Sequence, residues 1–218
     1  MATAYKPDAF AGFVLGDIPA LFNHPDTEII HEHFSGKKFM CKLPGGQIYF
    51  DSKLALDADG SPYWKQDRPN SQPVTTNHLD DGRDLDSDLI NYFVLPGGIH
   101  KWKQGIDLGD IAVVIRGVRM AFACFGDVGP RHSLGEGSIS LHRDLGNETV
   151  SNGESVSGGT FNPKAGIDSG VITIVFPGSG NHLKKFSGRT TRDSTAIGAP
   201  LFERLKRDAT DYTNLPDI

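Results

Sequence analysis

Short apolar runs broken by glycine, proline and asparagine dominate this chain, and few of them recur at helical spacing. That is the pattern of many short strands. Residues 110–115 and 118–125 are rich in β-branched, aromatic and small apolar side chains and are joined by Arg116-Gly117, a tight-turn signal, so they predict a central hairpin. Residues 38–42 and 47–50 flank Leu43-Pro44-Gly45-Gly46 and predict a second hairpin, whose latter strand closes at Asp51. Residues 170–178 include a run apolar enough for a strand buried on both faces, and apolar positions 139, 141 and 145 fit a short helix as well as a strand, with Ser138 placed to cap it. Leu201 and Leu205 among alternating charges predict a terminal helix within residues 199–210. Residues 1–35, with Pro7, Pro19 and Pro25, predict loops and a short irregular helix. Residues 57–96 are too polar for core and predict a long, ordered surface excursion ending in the apolar run 90–96. Residues 146–170 predict a loop rich in Gly, Ser and Asn. The expected fold class is mostly β: one domain over residues 1–218, a β-barrel with long loops and a few short helices. Residues 1–35 form an irregular N-terminal segment, 36–182 the core and 183–218 a C-terminal extension.

Composition sharpens this picture. The 26 glycines and 13 prolines are a heavy load of turn formers. A net charge of −5 repels nucleic acid and anionic lipid and favours a cationic partner. No apolar stretch approaches the roughly 20 residues of a membrane span, and the first residues lack both a basic region and an apolar core, so no signal peptide is read there. Cys41 and Cys124 lie among apolar and aromatic neighbours and predict two buried thiols, with a single disulfide as the alternative.

Candidate chemistry centres on two carboxyl groups. Asp127 in Gly126-Asp127-Val128-Gly129-Pro130 is expected at a strand end where the chain turns out of the sheet, and Glu136 follows nine positions later in Leu134-Gly135-Glu136-Gly137-Ser138. A compact loop can present both to one cleft, as an acid/base pair for glycoside hydrolysis requires. By spacing alone, Asp and Glu in Gly-rich loops of this kind read most often as turn formers or solvated charges. His31 and His33 have no third ligand at a diagnostic spacing, so no metal site is expected. His132 and His142 flank Glu136 and read as ordinary loop and surface residues. Neither a Gly-x-Ser-x-Gly elbow nor a phosphate-cradling Gly-Lys-Ser loop is present.

The order Tyr49-Phe50-Asp51-Ser52, Leu56-Asp57-Ala58-Asp59-Gly60, Asn91-Tyr92-Phe93-Val94-Leu95-Pro96, Gly109-Asp110-Ile111-Ala112, the two acidic motifs and Val175-Phe176-Pro177-Gly178-Ser179-Gly180 resembles the chitosanases of glycoside hydrolase family 75. The resemblance spans about residues 36–182, leaving the Asp-rich stretch 80–88 and the tail after 182 unaligned. It implies endo-acting cleavage of β-1,4 linkages in chitosan with inversion, secretion, and Asp127 and Glu136 as catalytic pair; the residues themselves are read with Asp127 as acid and Glu136 as base, an order that depends on which is better shielded from water. It also makes Asp51, Asp57 and Asp59, with Tyr49 and Tyr92, candidates for binding a sugar or its ammonium group. Tyr63, Trp64 and Trp102 are further candidates for stacking on sugar rings. Two carboxyl groups and water complete the reaction, so no cofactor is expected. By analogy with hydrolases that place an Asp before a proline-containing turn, the barrel is expected to be six-stranded and of the double-psi kind. The expected partner is chitosan or a chito-oligosaccharide, with no nucleic acid or membrane partner and a monomer as the default. The competing readings are a non-catalytic carbohydrate-binding or toxin-associated module, and a lytic enzyme acting on peptidoglycan.

Overall fold

The computed structural model describes residues 5–61, 74–97, 104–147, 166–180 and 191–214. The chain opens with α1 (Ala9–Leu15), where the Asp8 carboxylate accepts from the main-chain N–H of Phe10 and Ala11, and a 3-10 helix (Ile18–Asn23) with Pro19 in its first turn. Strands follow: β1 (Glu28–Ile29), β2 (Lys37–Lys42), β3 (Ile48–Asp57), β4 (Tyr92–Pro96), β5 (Ile111–Arg116), β6 (Arg119–Gly129) and β7 (Glu136–Ser138). Helix α2 (Ile139–Asp144), β8 (Ile167–Phe176) and α3 (Thr191–Thr213) complete the order. No helix among the described residues is long and apolar enough to cross a membrane.

Pairing runs β3-β7-β4-β6-β5-β8 and returns to β3, closing a six-stranded barrel with β2 and β1 attached beside β3. Four barrel pairings are antiparallel, while β3 with β7 and β4 with β6 run parallel. These parallel pairs separate the barrel from the up-and-down type.

Both faces of the strands are apolar, which is why the sequence runs lack clean alternation. Ala112, Val114, Ala121, Ala123, Phe93 and Phe125 belong to the cluster inside the barrel, where small residues admit the two phenylalanine rings at a centroid separation of 5.6 Å. Ile111, Val113, Ile115, Phe122 and Cys124 belong to the outer cluster, covered by α1, the 3-10 helix and Phe202, Leu205 and Ala209 of α3. Cys41 and Cys124 are buried and free, and burial pushes the Cys41 thiol up to about 12.

Several boundaries differ from the sequence reading. The β5–β6 register pairs Arg116 with Arg119, so the turn is Gly117-Val118, one residue later than expected. Strand β3 continues past Asp51 to Asp57 because it acquires β8 and then β7 as neighbours. Strand β6 continues through Asp127 to Gly129 because β4 pairs with it along that length. The terminal helix is longer than 199–210 and carries Pro200 inside it. Most of the expected 146–170 loop lies outside the described residues.

Candidate functional site

The neighbouring ends of β3, β4, β6 and β7 bring the acidic motifs together. Val94 at the centre of β4 pairs with Glu136 of β7 on one side and with Asp127 of β6 on the other. Register partners share a face, so both carboxyl groups project from the outer face of the barrel, across one intervening strand. Two strand spacings separate their main chains by roughly 10 Å. On the far side of β7, Glu136 pairs with Ala55 of β3, which turns Asp57, two positions on, to the same face. Gly129 lies beneath Glu136 Oε2: a Cβ there would stand 3.2 Å from that oxygen.

Residues 74–91 wrap one side of this group. The segment is only partly a surface excursion: residues 78 and 80–83 are exposed, but Thr75, Asn77, Leu85, Ser87, Ile90 and Asn91 are buried. The side chains of Thr75, Asn77 and Ser87 go inside because each meets main-chain groups, while Asn91 donates to the Asp144 carboxylate. Asn77 Nδ2 donates to the Phe125 carbonyl at 3.1 Å, and Ser87 Oγ donates to the Asp57 carbonyl while accepting from the Ile139 N–H. At its exposed edge, Thr76 donates its N–H (2.9 Å) and its hydroxyl to Asp127 Oδ1. The N–H of Val128 donates to the same oxygen at 2.7 Å.

Asp57 and Asp127 are each 6% exposed, Asp59 and Glu136 half-buried. Asp57, Asp59 and Asp127 offer carboxylate oxygens within 4.8 Å of one another. Asp57 Oδ1 accepts from the Asp59 N–H, and the Tyr92 hydroxyl donates to the Asp59 carbonyl at 2.9 Å. The set is oxygen-only and suits a hard cation or an ammonium group. Burial first, then the charges of Asp59 and Glu136, hold the Asp57 carboxyl well above the usual range. Burial likewise raises Glu136, Lys53 opposes that rise, and Asp127 adds to it.

Ser138 ends β7 and caps α2, its hydroxyl accepting from the Leu141 N–H as expected. His142, read as a surface residue, is instead fully buried. Its Nε2 lies 3.1 Å from the Ala55 carbonyl and its Nδ1 lies 2.9 Å from Asn147 Nδ2. Since a carbonyl only accepts, Nε2 carries the proton and Nδ1 accepts from the amide. Burial lowers His142 to about 4. Between about 6.5 and about 4 the unfolded chain therefore binds a proton that the folded chain does not, so this residue lowers stability as pH falls through that window. The loss is on the order of 3 kcal/mol at its completion. Urea unfolding from pH 7 to pH 4 is expected to give a shallower acid-side decline for His142→Gln than for the wild type; parallel curves would contradict this environment.

Of the other residues expected at the site, Asp51 and Tyr49 are not brought to it. Both are buried on β3 beneath the N-terminal segment, where the Tyr5 hydroxyl donates to Asp51 Oδ2 at 2.8 Å and Lys38 Nζ lies 3.6 Å from it. Tyr92 is at the site yet fully buried, so it offers no ring face to a sugar and instead braces the Asp59 carbonyl. Tyr63, Trp64 and Trp102 lie outside the described residues. His31, His33 and His132 are exposed, and none of them joins a metal-ligating group among the described residues. In the 80–88 stretch, Asp81 pairs with Arg83, and Asp88 pairs with Arg143 and accepts from the Ser61 hydroxyl at 2.6 Å. Thr76 and Lys53 carry no signal in the sequence, and Gly129 stands there only as part of the motif around Asp127.

A family model described as fungal chitosanase of glycosyl hydrolase group 75 matches residues 54–204, more than half of the 218. The match starts later than the motif resemblance and runs past residue 182 into α3, so part of the tail belongs to it. No curated protein matches the chain.

Proposed function

The chain belongs to glycosyl hydrolase family 75, the fungal chitosanases, and from that premise we propose that it cleaves β-1,4 linkages within chitosan with inversion, using Asp127 and Glu136. The observation that carries the reading is the pairing of both residues with Val94, which sets two carboxyl groups across one strand on one face. Inverting hydrolases keep their carboxyl groups about 6.5–9.5 Å apart to admit water, a span that two strand spacings can supply.

The electrostatics favour Glu136 as acid and Asp127 as base, the reverse of the sequence expectation. Burial favours the protonated form of Glu136, the form a proton donor needs. Asp127 Oδ1 accepts three hydrogen bonds, leaving Oδ2 to take a proton from water. In the reaction the Glu136 proton passes to the glycosidic oxygen as the bond from anomeric carbon to oxygen breaks. Water attacks that carbon from the opposite face and gives its proton to Asp127. Asp57 and Asp59 serve as partners for a glucosamine ammonium, whose charge would favour the ionised form of Asp57. Action outside the cell fits the family, whose fungal members are typically extracellular.

Release of reducing ends from chitosan, compared with chitin and peptidoglycan, tests the reading. Cleavage of chitosan supports it; cleavage of peptidoglycan alone, or of none, contradicts it. The roles are tested by Lys53→Met. Removing this charge raises Glu136 further, so with Glu136 as acid the basic limb of the kcat/KM profile moves to higher pH. A shift of the acidic limb instead would make Glu136 the base.

A further inference from the structure

We infer that Thr76 is a positioning residue that holds Asp127 through its side-chain hydroxyl, an inference that rests on Asp127 acting as the base. The hydroxyl donates to Oδ1 and its oxygen also lies within reach of the Val128 N–H at 3.3 Å, so one threonine ties the carboxylate to the strand that carries it. With the N–H groups of Thr76 and Val128 on the same oxygen, Oδ1 is saturated, while Oδ2 accepts no hydrogen bond among the described residues. Rotation of the carboxylate would break three bonds at once. Oδ2 is therefore the oxygen presented to water, and its direction is set before substrate arrives.

Anchoring of the segment does not depend on the Thr76 hydroxyl. The flanking residues are buried and bound on their own account: the Asn77 N–H donates to the Gly126 carbonyl at 2.9 Å, its side chain to the Phe125 carbonyl, and the Thr75 hydroxyl to the Asn77 carbonyl. Thr76 is exposed between them, so a valine of the same shape keeps the main-chain bond and removes only the hydroxyl.

The test is steady-state hydrolysis of chitosan by Thr76→Val, Thr76→Ser, Asp127→Asn and the double variant Thr76→Val/Asp127→Asn, with a thermal midpoint for each. Thr76→Val is expected to lower kcat about 10- to 100-fold with KM within about twofold and an almost unchanged midpoint. Thr76→Ser is expected to retain most of the rate, and the double variant to be no slower than Asp127→Asn. A wild-type kcat in Thr76→Val while Asp127→Asn is inactive would overturn this inference alone. Equal loss in the valine and serine variants would also overturn it, because the hydroxyl would then be irrelevant. Full activity in Asp127→Asn would remove the catalytic reading itself.

Discussion

Glu136→Gln and Asp127→Asn are each expected to lose about a thousandfold or more in kcat on chitosan while remaining folded. Both substitutions keep shape, and in Asp127→Asn the new amide oxygen can still accept the three donors that now meet Oδ1. What each removes is a proton carrier. The two losses should differ in kind. A chito-oligosaccharide with a leaving group that needs no protonation, such as a glycosyl fluoride, should restore much of the rate of Glu136→Gln. Asp127→Asn should stay slow with that substrate, since water still lacks a base, and should respond to added azide, a nucleophile that needs none. The opposite pattern would exchange the roles. Undiminished rates in either variant on chitosan would remove that residue from the mechanism.

Gly135→Ala is expected to show the largest loss of stability, about 3 kcal/mol or more, together with loss of activity. Gly135 has φ of 83°, and a Cβ there would stand 1.9 Å from the Lys53 carbonyl oxygen and 2.5 Å from Ser52 Oγ. Its own carbonyl accepts from the Ala55 N–H, so this glycine starts the parallel pairing that puts Glu136 opposite Ala55. Neither strand can yield easily, because β3 is also paired with β2 and β8. The urea midpoint checks this: a wild-type value would mean that residues 134–136 do not approach β3 so closely.

Much of the barrel was legible because its strands are runs of β-branched and aromatic residues bracketed by glycine and proline. Where the reading stopped short, pairing overrode local grammar. Gly126, Asp127 and Gly129 look like turn residues, yet β4 pairs with Asp127 and Gly129 and keeps the strand going, while Gly126 is the extra residue at the register shift and is there for close approach: a Cβ would meet Tyr92 Cβ at 2.5 Å. Polarity misled in the same way over residues 74–91, where threonine, asparagine and serine are buried against main-chain groups that composition does not reveal. The catalytic candidates were visible through motif order, whereas their roles depended on burial and donors. Asp51 and Tyr49 sit in a motif like the others, but strand direction carries them about six to eight residues along β3 from Asp57, under the N-terminal segment.

Proton NMR of the reducing ends formed in the first minutes of chitosan cleavage tests the central claim most directly. Two carboxyl groups set across one strand, with water activated opposite the leaving group, predict that the α-anomer appears first and the β-anomer only by later mutarotation. Initial appearance of the β-anomer would mean retention through a covalent intermediate and would contradict the assignment of Asp127 as a base acting on water.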